Sequence, residues 1–178
     1  MKELTVWHSS NTLFNNFEQN YIKDFGFHLG TERCALTNLK RINGNKNDKT
    51  EGYMYECNIK LHNPYFFKKD LSIWDNVSLS NYFLINKEDR NVFKLQYEIL
   101  ELGLYNIYYF KYMLIKSGYD SAEYINTKEI SFDENNKLNK SYIIFNTDNI
   151  NIINIYKVKK VPKKHLTYEF NNIKKKRK

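Results

Sequence analysis

Polar and apolar positions alternate with a two-residue period along Tyr53-Met54-Tyr55-Glu56-Cys57-Asn58-Ile59-Lys60-Leu61, the pattern of a strand with one buried face. Proline cannot donate to a ladder, so this strand is predicted to stop at Asn63-Pro64. Leu4-Thr5-Val6-Trp7 predicts a short strand ending on His8, and Gly26 to Thr31 predicts another, closed by a Gly-Thr turn. The mixed, polar segment from Asn11 to Asp24 is predicted to be a helix, and Asn43 to Glu51, glycine-bearing and without period, a surface loop. From Leu79 to Ser117 the spacing lengthens to three and four. Val92, Leu95, Ile99 and Leu102 predict one helix, and Ile107, Phe110, Met113 and Leu114 a second, separated at Gly103. Short strands at both ends with helices between them predict an α+β class.

A chain of 178 residues is expected to form one domain, able to remove about 70% of its unfolded surface from water; we place it at 1–170, with a basic tail over 171–178. Cys34 and Cys57 have no metal-ligand spacing and are too few for a disulfide scaffold, which suits a reducing cytoplasm. No apolar run approaches the ~20 residues of a membrane span, so no membrane partner is expected. The net charge of +8, with fifteen tyrosines and twelve phenylalanines, combines phosphate attraction with ring faces for unpaired bases, and makes nucleic acid an expected partner. An AT-rich coding sequence would enrich Lys, Asn, Ile and Tyr in the same way. The rings of Tyr105, Tyr108, Tyr109 and Tyr112 fall at helical spacing and read as core, with a stacking platform as the alternative. The cations Lys174-Lys175-Lys176-Arg177-Lys178 repel one another and read as an unpacked, solubilising end or as a salt-sensitive phosphate contact. Four scattered histidines and two cysteines show no zinc spacing, and neither a glycine-rich phosphate loop nor a nucleophile elbow is present.

Candidate chemistry gathers on two imidazoles, His8 and His28, at predicted strand ends where side chains can enter a cleft. Trp7-His8-Ser9-Ser10, then Phe14 and Phe17, then Gly26-Phe27-His28-Leu29-Gly30-Thr31 with Ala35 beyond, resembles the opening of the ADP-ribosyltransferases, above all the branch found in phage polyvalent proteins and bacterial toxins. Further pieces are similar to that family: Asn63-Pro64-Tyr65 with Asp70 and Trp74, Gly118-Tyr119-Asp120 running to Asn126 and Glu129, and Ser141 to Asn146 followed by Asp148, Asn149 and Ile150. Together they span residues 4 to 158. Ser9 replaces a motif glycine, His28 stands where many relatives carry tyrosine, and Ser141 occupies the position of the catalytic glutamate of the poly(ADP-ribose) polymerases.

The resemblance implies a split β-sandwich of two antiparallel sheets flanked by helices, with NAD in the crevice as ADP-ribose donor and no metal. His8 would hold a ribose hydroxyl and backbone near Ser9 and Ser10 the carboxamide, while Phe27, His28, Gly30 and Tyr142 would wall the nicotinamide. Breaking the nicotinamide–ribose bond leaves positive charge on the sugar, which calls for a nearby carboxylate. Glu129 is the catalytic candidate and Glu123 the reserve. The implied activity is mono-ADP-ribosylation by a toxin or phage-defence effector, with RNA as acceptor and a possible neutralising antitoxin. Two alternatives stay open: a protein side chain as acceptor, and an inactive module of the same fold that binds NAD or nucleic acid.

Overall fold

The computed structural model describes residues 1–18, 25–42, 51–127, 139–161 and 167–172. Strand β3 (Glu51–Leu61) is the spine of the first sheet, pairing antiparallel on one side with β1 (Lys2–Ser10) and on the other with β7 (Ile150–Val161), whose far edge takes β8 (Thr167–Asn172). The alternation read from sequence sorts its residues. Tyr55, Cys57 and Ile59 enter the core between the two sheets, while Met54 turns the other way, onto helix α1 (Glu32–Ile42). The β7–β8 ladder continues to Asn172, past the domain end predicted at residue 170.

The second sheet has the order β2 (Phe27–Leu29), β6 (Lys140–Ile144), β5 (Ser121–Ile125), β4 (Pro64–Phe67). Its β4–β5 pair is parallel, so this sheet is mixed and not the antiparallel sheet implied by the resemblance. A parallel pair needs a long crossover. Helices α2 (Asn76–Ile85), α3 (Lys87–Val92), α4 (Tyr97–Glu101) and α5 (Ile107–Lys116) supply it. Leu79, Phe83, Leu100, Phe110 and Leu114 pack them on Phe67, Ala122 and Ile143 of the sheet. The layers therefore run α1, first sheet, second sheet, helices, in an α+β arrangement.

Several expectations are corrected. Pairing with β3 continues to Ser10↔Tyr53, so His8 lies inside β1 opposite Tyr55 and not at its end. Residues 11–18 make bends, not helix. The Phe14 N–H donates to the Tyr55 hydroxyl (2.9 Å), which donates to the Thr12 carbonyl (3.0 Å), fastening this segment to β3; 19–24 lie outside the described residues. Pro64 opens β4, a position an edge strand tolerates because its missing N–H can face away from the ladder. No single helix spans Val92 to Leu102: the chain turns at Lys94 (φ 52°), and Val92 and Leu102 are 67% and 70% exposed. Gly103 does break the helices, at φ 64°, and α5 buries Phe110, Met113 and Leu114 as its spacing predicts. The tyrosines read as core are largely outside: Tyr108, Tyr109 and Tyr112 are exposed. The predicted loop 43–50 and the basic run 174–178 lie outside the described residues. Among the described residues no helix is long and apolar enough to cross a membrane.

Candidate functional site

The two sheets are joined at one corner. The Trp7 N–H donates to the Gly30 carbonyl (2.7 Å) and the Gly30 N–H to the Trp7 carbonyl (2.9 Å), so β1 and the end of β2 form a single bridge. Beside it opens a crevice of about 850 Å³, walled by β1, β2, the inner face of α1, the 70–75 link between β4 and α2, and the ends of β5 and β6. That volume suits a ligand of cofactor size.

His8 reaches the crevice from β1, and its Nδ1 lies 2.8 Å from the His28 carbonyl. A carbonyl only accepts, so Nδ1 carries the proton and Nε2 of the neutral ring is an acceptor. Burial, partly opposed by that hydrogen bond, pushes the His8 pKa below its ordinary value. Phe14, Phe17, Phe27 and Tyr55 surround the imidazole with ring centroids 5.3 to 6.4 Å away. These rings fix its orientation.

Along β2, side chains alternate: Leu29 enters the core between the sheets, and His28 points to the opposite face. There its Nδ1 is 3.3 Å from the Tyr124 hydroxyl and its ring meets Trp74 edge-on at 5.7 Å. Burial, and then the neighbouring His8, hold the His28 pKa down to about 4, against a weaker upward pull from Asp70. Both imidazoles are therefore uncharged near neutrality.

Three polar linkages shape the remaining walls. Ser9, buried on β1, accepts from Asn38 Nδ2 (3.1 Å), and Asn38 Oδ1 accepts from Arg41 Nη2 (2.8 Å), which sets a guanidinium on the α1 side of the crevice. Ser141 on β6 accepts from Asn126 Nδ2 (3.1 Å). A Cβ at Gly30 would come within 2.6 Å of Ser141 Oγ and 3.2 Å of Cys34 Cβ, so a side chain here would displace the Ser141 hydroxyl. Asp70, buried, accepts from the Ser72 N–H (2.9 Å) and the Thr127 N–H (3.0 Å). It thereby clips the link carrying Trp74 to the end of β5.

Of the residues singled out in the sequence, His8, Ser9, Phe27, His28 and Gly30 line the crevice together. Ser10 does not: its hydroxyl accepts from the Thr12 N–H (3.0 Å) and turns the chain after β1. Tyr142 is also misplaced by the sequence reading. It packs between the sheets, on the face of β6 opposite Ser141, where burial and the adjacent Glu123 push its phenol up to about 12. Glu123 pairs with Lys140 on that same face and does not line the crevice. Glu129 lies outside the described residues, two positions beyond Thr127. Among the described residues the carboxylates lining the crevice are Asp70 and Asp75.

Asp70 and Trp74 were visible in sequence only as part of a similar stretch, and Tyr124 and Asn126 only inside a longer one. Asn38 and Arg41, three apart on α1, went unseen, although the buried Cys34, Ala35 and Leu39 mark the helical face beside them.

Comparison with family models, with curated proteins and with solved structures finds no match. What the arrangement can do therefore rests on its chemistry. Among the described residues the crevice is lined by two uncharged imidazoles, the indole rings of Trp7 and Trp74, and the guanidinium of Arg41. That set fits a ligand with a hydroxylated sugar, a planar heterocycle and phosphate. Among the described residues no three His, Cys, Asp or Glu side chains group as metal ligands.

Proposed function

We propose that this chain is an NAD-dependent mono-ADP-ribosyltransferase acting in the cytoplasm as a toxin or phage-defence effector, with RNA as acceptor. The observation that carries the reading is the neutral His8, proton on Nδ1 and acceptor at Nε2, held in a crevice where two sheets meet edge to edge. NAD supplies a ribose whose C1′–nitrogen bond breaks with both electrons leaving on nicotinamide; the acceptor's nucleophile bonds to C1′ and gives up its proton. The protein's part is to hold and to stabilise. His8 Nε2 accepts from a ribose hydroxyl, the nicotinamide packs beside the touching rings of Trp74 and His28, and Arg41 meets the diphosphate. Two uncharged imidazoles matter here, because a cationic one would repel the positive charge developing on the sugar.

Glu129 remains the proposed carboxylate. Asp70 fits that role less well, since both its oxygens already accept backbone N–H groups. RNA is favoured as acceptor by the charge of +8 and the ring-rich composition. An effector of this kind would be held in check by a neutralising partner protein.

One observation favours a second reading, an inactive module of the same fold that binds NAD or nucleic acid. Ser141, at the position of the polymerases' catalytic glutamate, is bound to Asn126 and presents no charge. Incubation with NAD labelled in its adenosine half, together with RNA or a cell lysate, separates the readings. Transfer to RNA gives label that survives protease and is lost with ribonuclease. Label confined to protein moves the acceptor to a side chain, and the absence of both label and free nicotinamide with every acceptor leaves the binding module.

A further inference from the structure

Away from the crevice, helices α3 to α5 carry a connected trail of tyrosine rings with a cation at each end. The Arg90 guanidinium lies 5.1 Å from the centre of the Tyr97 ring. The Gln96 N–H, one residue before Tyr97, donates to the Tyr105 hydroxyl (3.1 Å), and Tyr105 stacks on Tyr109 with centroids 4.6 Å apart and planes within 13°. Tyr112 follows one turn further along α5, and Lys116 Nζ sits 5.8 Å from its ring centre. Tyr108 and Tyr112 are 58% and 56% exposed, and Tyr97 and Tyr109 are exposed as well. These rings are not needed to seal the core, because α5 already buries Phe110, Met113 and Leu114 on its other face.

We propose that the α5 end of this trail is a docking platform for single-stranded nucleic acid, with bases stacking on Tyr108, Tyr109 and Tyr112 and phosphates meeting Lys116. Charge selects that occupant over a protein. Within a chain of net charge +8, residues 102–119, which include all of α5, contain five tyrosines and neither aspartate nor glutamate; of their two lysines, Lys116 stands at the exposed rings and the half-buried Lys111 lies over the Phe145 ring. Exposed rings with a cation one turn along provide stacking and backbone attraction together, without reading sequence. The acids Glu88 and Asp89 share α3 with Arg90, and Glu98 and Glu101 share α4 with Tyr97, so binding concentrates on the α5 end. A single strand fits better than a duplex, whose bases are already stacked on one another. The platform lies outside the crevice and its test involves no NAD, so its failure and that of the transferase reading are separate results.

The test is fluorescence anisotropy with fluorescein-labelled oligouridine, oligothymidine and a duplex of the same length. It is run on the full chain and on a chain with Lys174, Lys175, Lys176, Arg177 and Lys178 replaced by serine, so that the terminal charge does not mask the surface. Tyr108→Ala, Tyr109→Ala and Tyr112→Ala combined are expected to weaken single-strand binding about tenfold or more and to leave duplex binding unchanged. Phenylalanine at the same three positions retains the affinity. Oligouridine and oligothymidine binding alike mark a platform indifferent to the sugar, while oligouridine alone assigns it to RNA. Should the triple variant fail to fold, Tyr108→Ser, at the most exposed ring, still lowers the affinity. The proposal is overturned if the wild type binds neither oligonucleotide, if the folded alanine variant binds like the wild type, or if the alanine changes abolish a self-associated state in sedimentation while oligonucleotide affinity is unaltered. That last result would make the face a contact between two copies of the chain.

Discussion

Replacing His8 by alanine is expected to lower nicotinamide release from NAD by about two to three orders of magnitude, the range found when one preorganised polar contact to a reacting group is removed. Two effects need separating. The imidazole lines the crevice and is also a packed ring among Phe14, Phe17, Phe27 and Tyr55, so alanine also opens a void costing about 2 to 4 kcal/mol of stability. His8→Phe distinguishes them. It refills the ring volume and removes both nitrogens, leaving the His28 carbonyl without this donor, at a cost of about 1 to 3 kcal/mol. A folded His8→Phe protein with activity as low as His8→Ala assigns the loss to the acceptor nitrogen. Phenylalanine at wild-type rates would show that His8 is packing alone.

Acidification from pH 7 to pH 4 is expected to remove about 3 kcal/mol of folding stability through His28. Burial holds its imidazole at about 4 in the folded chain, against 6.5 in the unfolded one. Between those values the unfolded chain binds more protons, so stability falls as pH falls. The contribution is complete above pH 6.5, declines through the interval, and changes no further below about 4. His8, whose pKa is also lowered by burial, acts in the same direction. Urea midpoints across this range should follow the slope in the wild type, and His28→Gln should flatten it. Parallel lines for the two proteins would mean that His28 is already protonated, or solvated, at neutral pH.

How much of this could be read from the chain depended on whether the signal was local. The β3 alternation and the buried face of α5 were legible because each element packs along one regular face. Strand β7 was harder. Its ladder with β3 slips between Glu56 and Cys57, so that Ile153 stands outside the register and the isoleucine period breaks at that point. Phe14 and Phe17 mimicked helical spacing, but they serve to grip His8 and Tyr55 from a bent segment. The exposed tyrosines of α5 have the spacing of core residues, and spacing alone cannot say which face of a helix meets the sheet.

The site divides in the same way. His8, Ser9, His28 and Gly30 came from two short stretches that the Trp7–Gly30 bridge brings together. Asp70 and Thr127 meet across 57 positions, a closeness that no local pattern encodes. Tyr142 and Ser141 are adjacent in sequence and face opposite sides of one strand. The resemblance puts the Tyr142 ring on the ligand wall, yet it is a core residue, and Ser141, singled out beside it for the position of the catalytic glutamate, is the one that lines the crevice.

Both of the chain's tryptophans, Trp7 and Trp74, line the crevice, so occupancy can be read from intrinsic fluorescence without a label. Titration with NAD is predicted to quench that emission saturably, with free nicotinamide competing and His8→Phe weakening the response at least tenfold. Emission that stays unchanged up to millimolar NAD, in a protein shown to be folded, would contradict a dinucleotide site between these two sheets.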